Sequence, residues 1–263
     1  MSNASVLLDI KDNVAYVTLN RPDVHNAFDE DMIARLTRVF DDLAIREDII
    51  ALVLCGTGKS FSAGADLEWM KRAASFTPEQ NKGDALALAS MLNKLNMIPQ
   101  TTIACVRGAA MGGGLGLVSC CDIVIADEAT VFALSEVRLG LIPATIAPYV
   151  IAAMGARQAR HYFQTAERFE GIEAYRIGLV HKLAQCPEDI ENILQATLKM
   201  LQNNGPKAMK AAKKLALDLE GKSITPALID DTAQRIAQIR STAEAKEGLS
   251  AFLEKRKPSW VKG

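Results

Sequence analysis

The sequence of 263 residues has few aromatic residues, few histidines and no marked excess of charge of either sign. Aromatic residues make up 5% of the chain and the formal net charge is −1, so the charge balance does not indicate a nucleic-acid-binding face. No apolar run approaches the roughly 18 residues that a membrane-spanning helix needs. The first residues also lack the basic leader and cleavage site of a signal peptide. We therefore expect a cytoplasmic protein that binds neither membrane nor nucleic acid.

Several signatures of nucleotide and hydrolase chemistry are missing as well. The glycine-rich segment 108–116 (GAAMGGGLG) lacks the Gly-Lys-Ser/Thr ending of a P-loop, and Ser119 stands where the dinucleotide fingerprint needs its last glycine. There is no G-x-S-x-G nucleophile elbow, and the three histidines show no triad pattern. The five cysteines are odd in number and lack a C-x-x-C spacing, so we expect free thiols in a reducing compartment and no metal site.

The apolar pattern predicts an α/β fold in which strands and helices alternate. The predicted strands are 6–10 and 14–19, which form a hairpin, followed by buried strands at 49–54, 101–106 and 122–126. The predicted helices of the first half are 29–45, 66–74, 78–97 and a short one after the glycine-rich segment. Beyond Ile146 the chain reads as helical, with predicted helices at 147–154, 157–164, 187–203 and 206–219 and a long helical stretch from 225 to about 252.

Two segments of small residues each follow an apolar strand and lead into a predicted helix. They are residues 59–66 (KSFSAGAD) and the glycine-rich segment 108–116. Backbone N–H groups at the start of a helix have no intrahelical acceptor. One such N–H from each segment could donate to a developing oxyanion. The two N–H groups together would form an oxyanion hole built from backbone alone. The glycine run by itself could also serve only to pack a helix closely against a strand.

Glu136 lies in an apolar stretch, residues 132–143 (FALSEVRLGLIP). Burial among apolar side chains raises the pKa of a carboxyl group and suits it to acid–base chemistry near neutral pH. The alternative is a structural ion pair between Glu136 and Arg138. Both interpretations stay open at the level of the sequence.

Taken together, three of these segments resemble the enoyl-CoA hydratase/isomerase (crotonase) family: residues 61–67 (FSAGADL), 108–122 and 135–143 (SEVRLGLIP). Residues 19–22, 26–27 and 247–256 add support, so the resemblance covers essentially the whole chain. It implies a spiral of repeated β-β-α units over residues 1–195, with the active site, and a helical region over 196–263 used for trimerisation. The expected partners are an acyl-CoA substrate and further copies of the chain, in a homotrimer or a dimer of trimers. No cofactor is expected beyond the coenzyme A that the substrate carries.

The resemblance also implies roles for single residues. The N–H groups of Ala65 and Gly113 would polarise the thioester carbonyl, and Glu136 would act as catalytic acid and base. The positions expected to contact the substrate are Ala63, Asp66, Leu67, Gly112, Gly116, Phe252 and Lys255. Asp66 could equally cap the helix that follows it, and Lys255 could be an ordinary solvated charge.

One position departs from the family pattern. Family hydratases hold the attacking water with two glutamates, and the position of the first is Gly116 here. The sequence therefore leaves open a hydratase that uses Glu136 alone, an isomerase that needs one carboxylate, and an acyl-CoA-binding protein without catalysis. RNA binding, known for a relative of the family, gains no support from the balanced charge.

A closer resemblance favours hydration. Residues 63–70 (AGADLEWM), 139–146 (LGLIPATI) and 162–169 (YFQTAERF) resemble bacterial methylglutaconyl-CoA hydratases and related geranyl-pathway hydratases. This resemblance implies a substrate with a branched or carboxylated acyl chain, such as 3-methylglutaconyl-CoA. We expect space for that chain at Gly116, and Arg138 could meet a distal carboxylate.

Overall fold

The computed structural model describes residues 4–261, which form nine strands and eleven α-helices. The strands are β1 (Val6–Lys11), β2 (Val14–Leu19), β3 (Ala51–Gly56), β4 (Thr101–Val106), β5 (Ala109–Met111), β6 (Ile123–Asp127), β7 (Val131–Ala133), β8 (Phe169–Glu170) and β9 (Lys182–Ala184). The helices are α1 (Glu30–Ala44), α2 (Leu67–Ala73), α3 (Pro78–Met97), α4 (Gly113–Ser119), α5 (Ala147–Met154), α6 (Ala156–Thr165), α7 (Gly171–Arg176), α8 (Asp189–Gln202), α9 (Pro206–Leu219), α10 (Pro226–Ser241) and α11 (Ala243–Leu253).

The larger sheet has six strands in the order β1-β2-β3-β4-β6-β9. The hairpin β1–β2 is antiparallel, as predicted, and every further neighbouring pair is parallel. The central strands are buried on both faces because their apolar runs are continuous. A smaller sheet of three short strands, in the order β5-β7-β8, was not predicted. The smaller sheet places two segments of the candidate site next to each other, because β5 pairs with β7.

Most helices of the first half begin where local capping signals predict. The Asp29 carboxylate accepts from the Met32 N–H at the start of α1, and Asp66 caps α2. Thr77 and Gln80 form a reciprocal capping box at the start of α3. These short-range signals explain why the predicted bounds of these helices agree with the structure.

The last three helices differ from the rest because they bury little within their own chain. Helices α9 and α10 have no buried residue, and α11 buries only Ala251. The predicted helical stretch from 225 to about 252 is confirmed, and it consists of two helices. Thr242 adopts an extended conformation that ends α10, and its hydroxyl accepts from the Ala245 N–H at the start of α11. The division into 1–195 and 196–263 stays a prediction, and α8 runs across residue 195.

Two features of residues 4–261 bear on possible partners. No described helix is both long and apolar enough to cross a bilayer. No three His, Cys, Asp or Glu side chains in this part of the chain are grouped so as to hold a metal ion.

Candidate active site

The first small-residue segment runs beside the second and is hydrogen-bonded to it. The Ser62 N–H donates to the Ala109 carbonyl at 3.0 Å, and the Met111 N–H donates to the Ser62 carbonyl at 2.9 Å. Gly64 has a φ of +91°, and a Cβ there would lie 3.0 Å from the carbonyl oxygen of Met111. Glycine at this position therefore allows the close approach of the two segments.

The Asn26 side chain holds the first small-residue segment in place through hydrogen bonds. It is fully buried, and its side-chain amide donates to the carbonyls of Thr57 at 2.8 Å and Ser60 at 2.9 Å. The Ser62 hydroxyl donates in turn to the Asn26 carbonyl at 2.9 Å. These buried polar groups are therefore paired with one another, as buried polar groups usually are.

Arg21 ties the start of α1 to the start of α2. Its guanidinium donates to the Ala27 carbonyl at 2.6 Å and to the Asp66 carboxylate at 2.9 Å, and it lies 3.1 Å from Asp29. Burial alone would raise the pKa of Asp66, but hydrogen bonds from the Trp69 N–H and from Arg21 hold that pKa below its usual value. The predicted helix cap at Asp66 is confirmed.

Ala65 lies opposite Phe28 in a short parallel bridge. The Phe28 N–H donates to the Gly64 carbonyl at 2.7 Å, and the Asp66 N–H donates to the Phe28 carbonyl at 2.8 Å. In such a bridge the N–H of the middle residue points away from its partner. Within residues 4–261 no group accepts a hydrogen bond from the Ala65 N–H.

Gly113 offers a second such donor. It is the first residue of α4, and its N–H has no acceptor in the described part of the chain. The preceding residue, Gly112, has a φ of +48° and donates its N–H to the Ala133 carbonyl at 2.9 Å. Two unused backbone donors, one from each segment, are what an oxyanion hole requires.

The smaller sheet carries Glu136 to the second segment. Strand β5 is parallel to β7, with Met111 opposite Ala133, so the residues that follow the two strands are neighbours. A Cβ on Gly112 would lie 3.2 Å from Glu136 Oε1. Glu136 opens a short 3₁₀ turn and is only partly exposed. The Glu136 carboxylate is therefore close to Gly112, the residue that precedes the Gly113 donor.

The Glu136 carboxylate is not neutralised by an ion pair. Its Oε2 is buried and has no hydrogen-bond partner within residues 4–261. Arg138 donates instead to the Ala166 carbonyl at 2.9 Å, so the alternative of a Glu136–Arg138 pair is wrong. Burial raises the pKa of Glu136, in agreement with the prediction from its apolar context. A buried carboxyl group with a raised pKa and a free oxygen is suited to exchanging protons with a substrate.

The expected space at Gly116 is not present. Gly116 is buried, and a Cβ there would lie 2.3 Å from Ile146 Cγ2 and 3.7 Å from Leu92 Cδ2. Ile146, itself buried, fills the volume beside the glycine. The expectation that Gly116 leaves room for an acyl branch is therefore wrong, although a contact of this wall with substrate stays a prediction.

The other predicted contact residues of the first segment surround the Ala65 donor. Ala63 is exposed, and the Leu67 side chain is 73% exposed. The Asp66 carboxylate is engaged by Arg21 and by the N–H groups of α2, so its direct contact with substrate stays a prediction.

Phe252 and Lys255 lie apart from these loops in the chain's own packing. They stand at the end of α11 and just after it, and α11 packs on α9 and α10. The Phe252 side chain is 79% exposed. Their expected role toward coenzyme A on a neighbouring subunit stays a prediction.

The sequence did not reveal two residues that shape the site. Phe28 bridges Ala65 and also touches Gly113, while Ile146 closes the wall beside Gly116. Both contacts join residues far apart in the chain, and both side chains look like ordinary core residues. A sequence signal existed only for Arg21, in the 19–22 segment that supported the family resemblance.

Comparison with known proteins shows the family to which this chain is similar. The family model described as enoyl-CoA hydratase/isomerase matches residues 9–263. The short-chain-enoyl-CoA hydratase of Clostridium acetobutylicum is 32% identical over 255 residues, which is 96% of each chain.

Solved structures show the same fold. An enoyl-CoA hydratase from Shewanella pealeana is 44% identical and superposes with a TM-score of 0.94, covering 97% of this chain and 96% of that one. Pseudomonas aeruginosa AtuE is 38% identical, with a TM-score of 0.94 over 98% of this chain and all of that one. The α/β fold is thus that of the crotonases, and the chain belongs to the enoyl-CoA hydratase/isomerase family.

Proposed function

We propose that this protein adds water to 2-enoyl-CoA thioesters with Glu136 as its one acid–base group. The observation that carries the proposal is the Glu136 carboxylate beside Gly112, whose buried Oε2 has no partner within residues 4–261, together with two backbone donors that have no acceptor there. A carboxylate with a raised pKa can accept a proton from water and return it within one turnover. The names of family relatives, such as the crotonyl-CoA hydratase of Syntrophomonas wolfei, support the reaction class.

The proposed reaction uses the three groups in sequence. The Glu136 carboxylate takes a proton from water as the water oxygen bonds to the β-carbon. The electron pair of the carbon–carbon double bond moves toward the thioester, and the Ala65 and Gly113 N–H groups hold the resulting enolate oxygen. The enolate then takes the proton from Glu136 at its α-carbon. One backbone donor of this kind is worth roughly 3 kcal/mol of barrier height.

For the acyl chain we propose a branched group, such as 3-methylglutaconyl. The resemblance of residues 63–70 and 139–146 to hydratases of that substrate is the main support. Exposed Leu139 and Ile142 follow Glu136 in the chain and offer apolar surface for a branch. Ile146 makes the Gly116 side an apolar wall rather than a recess.

Isomerisation of the double bond is a second candidate, and Ile146 is the observation in its favour. Position 116 supplies no carboxylate to help hold a water molecule, and any side chain there would require Ile146 to shift. Moving one proton between carbons needs a single carboxylate.

One experiment separates these reactions. The pure protein is incubated with crotonyl-CoA, 3-methylglutaconyl-CoA and a 3-enoyl-CoA, and the products are separated by chromatography against standards of each isomer and identified by mass. Hydration adds the mass of one water, whereas isomerisation moves the double bond without a change in mass. We expect hydration, with 3-methylglutaconyl-CoA turned over fastest. Turnover of the 3-enoyl-CoA alone would favour the isomerase, and binding without turnover would indicate a non-catalytic acyl-CoA-binding protein.

We also propose that the chain forms a homotrimer or a dimer of trimers. Helices α10 and α11 expose large apolar side chains that their own chain leaves uncovered, namely Ile229, Ile236, Leu249, Phe252 and Leu253. Burying such a surface against another copy is favourable. Light scattering at micromolar concentration is the test, and a monomer would contradict the proposal.

A further inference from the structure

Phe28 contacts both segments that carry the unused backbone donors. Its main chain forms the parallel bridge that brackets Ala65, through the carbonyl of Gly64 and the N–H of Asp66. Its ring reaches the other segment, because a Cβ on Gly113 would lie 2.8 Å from both Cδ2 and Cε2 of the ring. The residue is 1% exposed. Phe28 thus contacts the Ala65 segment through its main chain and Gly113 through its ring.

The Phe28 backbone is itself held in place. The Arg21 guanidinium binds the Ala27 carbonyl on one side of Phe28 and the Asp66 carboxylate across the bridge. The Asp29 carboxylate, next to Phe28, caps α1. Since the main chain is fixed on the Ala65 side, the size of the ring limits how close Gly113 can come.

We propose that Phe28 is a positioning residue that sets the distance between the Ala65 and Gly113 N–H groups. This inference rests on the proposed oxyanion hole. The strength of a hydrogen bond falls steeply as its geometry departs from the optimum, and a misplacement of about 1 Å can cost about 10²-fold in rate. A smaller side chain at Phe28 keeps the backbone bridge, since the bridge uses main-chain atoms only, but removes the contact with Gly113.

The test compares Phe28→Leu with Phe40→Leu. Phe40 lies on α1, is also 1% exposed and belongs to the same core, so the two changes remove similar buried volume. The probe is 2,4-hexadienoyl-CoA, whose near-ultraviolet band moves to longer wavelength when the thioester carbonyl is polarised. The readouts are the red shift of the saturated complex, together with kcat and KM on the substrate found by product analysis.

We expect Phe28→Leu to reduce the red shift and to lower kcat by about tenfold or more, while KM stays within a few-fold. Phe40→Leu should keep the red shift and kcat of the wild type. If Phe28→Leu does not fold, Phe28→Met keeps the volume without the rigid ring and should show a smaller loss of the same kind.

Each contrary result has a distinct meaning. A wild-type complex without any red shift would overturn the oxyanion hole and this inference with it. A wild-type red shift that is unchanged in Phe28→Leu would overturn the positioning role alone. Equal losses in Phe28→Leu and Phe40→Leu would also overturn it, because the effect would then follow from lost core volume.

Discussion

The two parts of the candidate site are built in opposite ways. The segment that carries Ala65 is held by the buried Asn26 amide and the Arg21 guanidinium, and the N–H groups of Met111 and Gly112 hold the segment that carries Gly113. The turn that carries Glu136 leaves one carboxylate oxygen buried without a partner. The donors are therefore fixed before substrate arrives, whereas the carboxylate has a hydrogen-bonding capacity that nothing in residues 4–261 satisfies.

This difference matches two different tasks. A group that stabilises developing charge works best when it needs no rearrangement during the reaction. A group that gains and loses a proton works best when both of its protonation states are accessible at the working pH. The unpaired oxygen costs stability, and such a cost is typical of a functional site. The predictions below disturb one part at a time.

The largest effect is expected from Glu136→Gln. The amide keeps the size of the side chain but cannot exchange a proton, and general acid–base steps contribute about 10²–10⁴-fold. Turnover should fall by at least about 10²-fold, while affinity for acyl-CoA stays within a few-fold because the backbone donors are unchanged. Steady-state kinetics and a binding titration measure the two quantities.

The matched control for that variant is Glu128→Gln, an exposed glutamate beyond β6. It should keep the turnover of the wild type. Near-full activity of Glu136→Gln on the identified substrate would remove Glu136 from the mechanism.

A smaller effect is expected from Gly116→Glu, which would supply the carboxylate that the chain lacks. The Cβ of the new side chain would clash with Ile146. Overpacking of a core lowers the free energy of unfolding by roughly 1–3 kcal/mol, and burying the new charge lowers it further. Stability should fall and hydration should not improve. Thermal unfolding and turnover on the identified substrate are the measurements.

Two companion variants sharpen this result. Adding Ile146→Ala should recover part of the stability because it opens the volume beside Gly116. Gly83→Glu, on α3, is the control, since nothing lies within 4 Å of a Cβ at Gly83. A Gly116→Glu protein with unchanged Tm and faster hydration would show that the site is an impaired two-carboxylate hydratase.

The smallest expected effect is that of Glu136→Gln on thermal stability. Burial raises the pKa of Glu136 in the folded protein above its ordinary value of 4.5. The folded protein is therefore most stable, as far as this group is concerned, below pH 4.5, where Glu136 is protonated. This contribution to stability is lost as the pH rises through the folded pKa. Glu136→Gln should therefore raise Tm at neutral pH, and each kcal/mol corresponds to roughly 2–4 °C for a chain of this size. The gain should shrink as pH falls toward 4.5.

Glu173→Gln is a control of opposite sign. Arg176 holds the pKa of Glu173 below its usual value, so this variant should lose stability at neutral pH and lose less as the pH falls. Thermal melts of both variants across pH provide the comparison. A Glu136→Gln protein that is less stable than the wild type at neutral pH would contradict the view that the carboxylate is unpaired.

Local signals in the sequence were enough to predict much of the fold. The bounds of α3, α5 and α9 were predicted to the residue, because each begins with a proline in its first turn and shows a clear helical pattern. The break at Thr242 was missed because the apolar pattern continues across it. The three-stranded sheet was missed because strands of two or three residues carry no periodicity of their own.

The site residues likewise divide into those that local motifs predict and those that only the packing of distant segments reveals. Ala65, Gly113 and Glu136 were found because they lie in short motifs with a recognisable pattern. Ile146 at Gly116 and Phe28 at Gly113 were not found, because each contact depends on how distant segments pack. Whether Glu136 forms an ion pair with Arg138, two residues away, could not be decided from the sequence. The structure answers it, because Arg138 donates to the Ala166 carbonyl instead.

The central claim is that the backbone polarises the thioester while Glu136 moves the proton. Binding 2,4-hexadienoyl-CoA to the wild type and to Glu136→Gln, and recording the absorption band of each complex, tests that division most directly. The account predicts a red shift of similar size in both complexes, although the variant has lost turnover. Loss of the red shift in Glu136→Gln would contradict it, because the carboxylate and not the two N–H groups would then be responsible for polarising the carbonyl.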